Sequence, residues 1–190
     1  MMYEPSEKER KDGFCAQAFA YFVKNGLENT SVRELCREMK LSYGSLYYWF
    51  KDKDDIYIST AMYGFEKVVD ELFEFAFSNV ANLDDFFKKT PDEIKKHFAE
   101  LRTVYQVAAS PVYGARMRKK AEDLMPSYAR YIKKLAKTFN CSAEQLTPLV
   151  FVFISIIMDY CIWEDEKNTR MQLDYLYNRL KEEIGEQKLM

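Results

Sequence analysis

Hydroxyl-bearing and aromatic side chains crowd one short stretch of this chain, Ser42-Tyr43-Gly44-Ser45-Leu46-Tyr47-Tyr48-Trp49-Phe50, and Lys53 follows it closely. These types suit contact with a nucleic-acid duplex. Hydroxyls such as those of Ser42, Ser45 and Tyr47, and a lysine ammonium, meet phosphate oxygens; Tyr43 and Tyr48 extend polar tips toward base edges or methyl groups. Gly44 has no side chain, so backbone there can approach another molecule closely. Thr30 and Ser31 add two hydroxyls at the N-terminus of the preceding helix, where backbone N–H groups also favour an anion. Each residue has a plainer role too: Tyr47 and Trp49 suit a core, and Ser31 and Ser42 suit helix caps. The assembled pattern carries the reading, not any single member.

Catalytic chemistry finds little to work with. The one histidine, His97, has no Ser or Cys partner in a motif, and the chain lacks His-Glu-x-x-His, Gly-x-Ser-x-Gly and Gly-x-Gly-x-x-Gly. A lone histidine and four scattered cysteines give no metal-ligand spacing, so neither an enzyme nor a metal or cofactor site is expected. Cys15, Cys36, Cys141 and Cys161 lie far apart in helical patterns, as small buried residues or free thiols of a reducing cytoplasm do. The polar start, Met1 to Ser6, is no signal peptide. The most apolar run, Leu149 to Met158, meets Asp159 short of the roughly 20 residues a bilayer needs, so no membrane is expected.

The elements that position the hydroxylated stretch are helices. Only six glycines and five prolines occur in 190 residues, which disfavours a turn-rich β architecture. Ser6-x-x-Glu9 is a capping box opening a first helix with Phe14, Cys15, Ala18, Phe19 and Phe22 at helical spacing, and Asn25-Gly26 ends it. Ser31-x-x-Glu34 opens a short second helix, and Ser42 caps a third that ends near Phe50 and packs through Leu41, Leu46 and Phe50. Asp52 starts a long fourth helix. Thr90-Pro91-Asp92-Glu93 reads as the next helix start, running to about Ser110-Pro111. Pro126 must kink or divide the helical stretch from Tyr113 to Phe139. Ser142-x-x-Gln145 caps a very apolar helix ending near Trp163, and a last helix runs from about Asn168 to Ile184. The expectation is an all-α chain of eight or nine helices.

Residues 10 to 57 resemble the DNA-binding region of the TetR (tetracycline-repressor-like) family of transcriptional regulators. The resemblance rests on Ala18-Phe19 and Phe22 to Gly26, then Thr30-Ser31-Val32-Arg33-Glu34-Leu35, the Leu41 to Phe50 stretch, and the closing Lys53-Asp54. It implies a helix-turn-helix head over residues 1–51, joined by the long fourth helix to a ligand-binding and dimerisation domain over 52–190. It further implies a homodimer that reads a palindromic double-stranded DNA operator as a ligand-responsive repressor. Lys40 stands where the family usually has glycine, so the turn must take another geometry or strain a lysine. Net charge is −2, and residues 1–56 hold nine Lys/Arg against ten Asp/Glu. That balance keeps a competing reading open: a TetR-like interaction module or coactivator that has lost DNA binding.

In the remaining two-thirds, Phe98, Leu101, Tyr105, Met117, Met125, Tyr128 and Phe151 come from helices that would surround a cavity for an apolar or aromatic effector; ordinary core packing explains them equally. Arg116, Arg118, Lys119, Lys120, Arg130, Lys133, Lys134 and Lys137 crowd one region and suit a solvated basic face or an anionic ligand. The last two helices pair with their mates in this family. Val152, Phe153, Ile156, Ile157, Tyr160, Leu173, Leu176 and Leu180 fit that four-helix interface.

Overall fold

A computed structural model of the chain describes residues 5–79 and 82–184. Among the described residues every regular element is a helix, ten in all. They form two compact units: Met1–Val68 with Ala99–Glu122, and Val69–Phe98 with Asp123–Met190.

In the first unit, α1 (Glu7–Asn25) opens on the Ser6 and Glu9 capping box and buries Phe14, Cys15, Ala18, Phe19 and Phe22. It stops at Gly26, whose φ of 84° suits glycine and whose N–H bonds Phe22 O. Next, α2 (Val32–Glu38) opens on the Ser31 and Glu34 box, and α3 (Tyr43–Trp49) on Ser42, whose Oγ accepts from Ser45 N at 3.0 Å. The connection between them resolves the question posed by Lys40: it sits at φ 52°, a left-handed lysine, while Leu41 N closes the turn on Cys36 O at 2.9 Å. Leu46 and Phe50 are buried, and the Phe50 ring meets that of Phe14 at 5.4 Å.

Then α4 (Lys53–Asn79) begins in the first unit and ends in the second. Asp52 Oδ1 caps it by accepting from Asp55 N at 2.7 Å. At Gly64 a Cβ would lie 2.2 Å from the Phe19 ring, so a glycine lets α1 and α4 meet closely. Two further helices complete the unit: α6 (Phe98–Ala109), all but its first residue, and α7 (Gly114–Glu122).

The second unit adds α5 (Leu83–Lys96), α8 (Met125–Thr138), α9 (Ala143–Trp163) and α10 (Glu166–Ile184) to the end of α4. Its core gathers Leu83, Phe87, Leu135, Phe139, Leu146, Ile156, Leu173, Leu176 and Leu180. Each large aliphatic or aromatic side chain buried this way contributes roughly 1.5–3 kcal/mol. One helix start differs from expectation: α5 begins at Asn82, whose side chain caps Asp85 N at 3.1 Å, and runs through Thr90-Pro91. Thr90 Oγ1 donates to Phe86 O at 2.8 Å instead of capping a new helix. Pro126 does divide its stretch, standing in the first turn of α8. The apolar helix α9 is longer than its most apolar run, because Asp159 lies inside it; by length and composition alone it could cross a membrane.

Candidate nucleic-acid interface

The third helix turns Leu46 inward, and that single anchor decides what faces out. Ser42, Tyr43, Gly44, Ser45, Tyr47 and Tyr48 are all exposed. Tyr43 and Tyr47, one turn apart, stack with ring centroids 6.5 Å apart. Tyr48 Oη donates to Glu7 Oε2 of α1 at 3.3 Å. The result is a continuous strip of hydroxyls and phenol edges on one short helix, of a size that fits a major groove roughly 12 Å wide.

Gly44 is informative because the fold does not require it. A Cβ there would meet only Ser42 Oγ, at an ordinary 3.7 Å. A helix position that tolerates a side chain yet lacks one leaves room for another molecule to approach the backbone closely.

The flanking residues divide by role. Ser31 is exposed and caps α2, and its Oγ also contacts Glu34 Oε2 at 2.7 Å. Thr30 is buried and its Oγ1 donates to Gly26 O at 2.8 Å, so it braces the loop before α2. Its hydroxyl is committed inward, contrary to the phosphate contact expected of it. Lys53 is exposed in the first turn of α4, with Nζ 5.5 Å from the centre of the Tyr57 ring.

Two features of this region escape sequence reasoning. The first is Tyr57, a buried phenol whose hydroxyl donates to Thr30 O and whose ring stacks between Phe22 and Tyr113 at 5.3 and 5.4 Å. Burial pushes its ionisation up to about 12. The second is a set of ion pairs from α7 to the foot of α4. Arg116 Nη1 lies 3.2 Å from Asp52 Oδ1 and 3.4 Å from Asp54 Oδ2, and Lys120 Nζ lies 2.6 Å from Asp55 Oδ1. A hydrogen bond from Asp55 N, followed by the Arg116 guanidinium, holds the Asp52 carboxyl below its usual range. Burial opposes ionisation of Asp55, but hydrogen bonds from Lys120 and Lys51 N prevail and lower it. Of the basic run, Arg116 and Lys120 are half-buried in these pairs, while Arg118, Lys119, Arg130, Lys133, Lys134 and Lys137 are exposed; Arg118 also donates to Ala108 O at 3.1 Å, and Lys134 Nζ sits 3.9 Å over the Phe77 ring.

The seven residues expected to wall an effector cavity fall into both units. In the first, Leu101 and Met117 are buried and Tyr105 is half-buried. In the second, Phe98 meets Tyr160 edge-on at 4.9 Å, Tyr128 stacks on Phe73 at 6.5 Å, and Met125 and Phe151 are exposed. A shallow groove of about 440 Å³ in the second unit is lined by none of them; it is formed by Glu71, Glu74, Phe75, Ser78, Asn79, Glu93, Lys96 and His97. His97 is buried between carboxylates, Nδ1 3.6 Å from Glu71 and Nε2 3.7 Å from Glu93.

The eight residues expected to pair between chains also divide. Ile156, Leu173, Leu176 and Leu180 are buried in the second unit's own core with Phe153 packed half-buried against it, and Ile157 and Tyr160 are buried as well. Only Val152 is exposed. The apolar side chains that α9 and α10 do present are Phe151, Val152, Ile154, Met158, Ile162, Trp163, Met171 and Tyr175. Helical periodicity marks the two helices, but a helix apolar on nearly every side does not reveal which face its own chain covers.

Residues 15–60 match the family model described as bacterial regulatory proteins, tetR family. That span runs from α1 to the first turns of α4 and contains the whole hydroxylated strip. No curated protein matches the chain.

Proposed function

We propose that this chain, whose residues 15–60 match the model of bacterial regulatory proteins of the tetR family, is a ligand-responsive transcriptional repressor that binds a palindromic DNA operator as a homodimer. The observation that carries the DNA reading is the exposed strip on α3 with Gly44 at its centre, a glycine the fold itself does not need. Tyr43 and Tyr48 read base edges or methyls; Ser42, Ser45, Tyr47, Ser31 and Lys53 hold the phosphates. Residues 1–51 carry the reading helix, Lys53 at the start of α4 adds its phosphate contact, and sensing and dimerisation fall to the chain beyond them.

Dimerisation is supported by the outward apolar side chains of α9 and α10, eight from Phe151 to Tyr175, because apolar surface gathered on neighbouring helices favours a covering partner. Covering it with a second copy gives an isologous contact, and interfaces of this kind bury on the order of 2,000 Å² or more. An apolar or aromatic effector acts by binding unequally to two settings of the heads; a tenfold change in operator affinity needs about 1.4 kcal/mol of such coupling. Tyr105→Ala and Met117→Ala should weaken an effector found by thermal-shift screening. If neither does, the effector sits elsewhere.

The test of the central reading is selection of duplexes from genomic DNA by the purified protein. An enriched inverted repeat is expected, with affinity falling steeply as salt rises. The near-neutral charge of residues 1–68, ten Lys/Arg against eleven Asp/Glu, favours a second reading, an interaction module without DNA binding. Selection that enriches no repeat would leave that reading in possession.

A further inference from the structure

The head's own sequence is electrically poor for a DNA reader, yet the folded unit that carries it is not the same set of residues. Residues 1–68 hold ten Lys/Arg against eleven Asp/Glu. The compact unit also includes Ala99–Glu122, and with that segment the count becomes fifteen Lys/Arg against thirteen Asp/Glu. The sign of the unit changes because α6 and α7 belong to it.

Where that charge goes is specific. Asp52, Asp54 and Asp55 surround Lys53 in sequence at the foot of α4. Left alone, three carboxylates beside the one lysine assigned to a phosphate would repel the duplex at short range, where salt screens poorly, within a Debye length of about 8 Å. Arg116 and Lys120 stand one helical turn apart on α7 and face this group. Arg116 pairs with Asp52 through both Nη atoms, at 3.2 and 3.3 Å, and with Asp54 at 3.4 Å. Lys120 takes Asp55 at 2.6 Å and Ser59 Oγ at 2.8 Å. Lys53 is left with an aromatic neighbour, the Tyr57 ring, on its inner side.

Resting on the DNA-binding reading above, we propose that α7 is an electrostatic part of the DNA-binding head. Arg116 and Lys120 are positioning residues that neutralise Asp52, Asp54 and Asp55 beside Lys53, so that the foot of α4 can meet a phosphate. They act through the aspartates and touch no DNA themselves. Any displacement of α7 would uncover the carboxylates and weaken operator binding.

The experiment uses the full-length protein and a labelled duplex that the wild type has enriched from a randomised pool, titrated by anisotropy at several salt concentrations. Arg116→Gln should weaken binding about five- to tenfold at low salt, with the deficit shrinking as salt rises. The pair Asp52→Asn with Arg116→Gln should restore it, because removing one carboxylate returns the local charge and Asn keeps the helix cap. A purely structural role predicts the opposite, since the double variant lacks the ion pair altogether. Arg116→Gln binding like wild type, or a double variant as weak as the single, overturns the proposal. Lys120→Gln and its pair with Asp55→Asn repeat the test should Arg116→Gln fail to fold. A wild type that enriches no duplex defeats the underlying DNA reading, a result separate from either pattern among variants.

Discussion

Two helices of this chain present large side chains to solvent, and they do so with different chemistry. On α3, Tyr43, Tyr47 and Tyr48 are 47%, 44% and 73% exposed, and each ends in a hydroxyl. On α9, Phe151, Ile154, Ile162 and Trp163 are 59%, 42%, 57% and 72% exposed, and only the indole N–H is polar. A phenol keeps its hydrogen bond with water until a phosphate or base edge replaces it, so exposure on α3 costs little. A bare aliphatic or phenyl surface gains roughly 25 cal/mol per Å² when covered, so exposure on α9 creates a demand for a partner. The tip of the side chain, more than its size, separates a surface suited to a wet polyanion from one suited to a dry protein partner.

The sharpest way to break this contrast is to charge the α9 face. Phe151→Glu combined with Ile162→Glu should convert a dimer to a monomer. Each lost burial is worth about 1.5–3 kcal/mol, so the dimer dissociation constant should rise by about a hundredfold or more. Sedimentation velocity reads this directly, and a wild type that is already a stable monomer at micromolar concentration removes the dimer.

Within α3 the strip should separate into readers and holders. Tyr43→Ala should change which duplexes are preferred, by about 1–3 kcal/mol at the affected base pair. Lys53→Ala should weaken all duplexes alike and reduce the steepness of the salt dependence by about 0.9. If both variants lose affinity equally on every sequence, Tyr43 reads no base. Gly44→Ala tests the same face from the other side. Thermal stability should hold or rise, because Ala is the better helix former, while affinity drops by about tenfold or more. Stability lost without a change in affinity would make Gly44 a structural residue after all.

The smallest effect is expected at Lys40. Replacing a left-handed lysine by glycine relieves a conformational cost of about 1–2 kcal/mol, partly offset by the freedom glycine gains in the unfolded chain. Lys40→Gly should therefore stabilise the protein by about 0.5–1 kcal/mol in a denaturant titration. A destabilised variant would mean that the lysine side chain makes a compensating contact.

Much of the helical plan could be read from local chemistry, because a cap is a contact over three residues. Ser6 with Glu9, Ser31 with Glu34, Ser42 with Ser45, and Ser142 with Gln145 all close where the spacing places them. Thr90-Pro91 misled because the same residues serve a helix interior once Asn82 has started the helix upstream and Phe86 O accepts the threonine hydroxyl. Thr30 misled for a related reason: a hydroxyl near a helix start looks alike whether it turns out to solvent or back to Gly26 O.

What the sequence by itself determined, though it did not separate α5 from α6, is the all-helical class with most of its capped helix starts, the anchor Leu46 that turns the hydroxylated side of α3 outward, and the resemblance its residues carry. Those are short-range matters of caps, periodicity and residue type. Only tertiary structure decided which sides of α9 and α10 are spent on the chain's own core, because an all-round apolar helix has no preferred side until neighbours cover one. It also decided that Arg116 belongs to Asp52, 64 positions away. An ion pair needs a few ångströms of approach and no particular separation along the chain, so folding alone could bring the cations of α7 to the foot of α4.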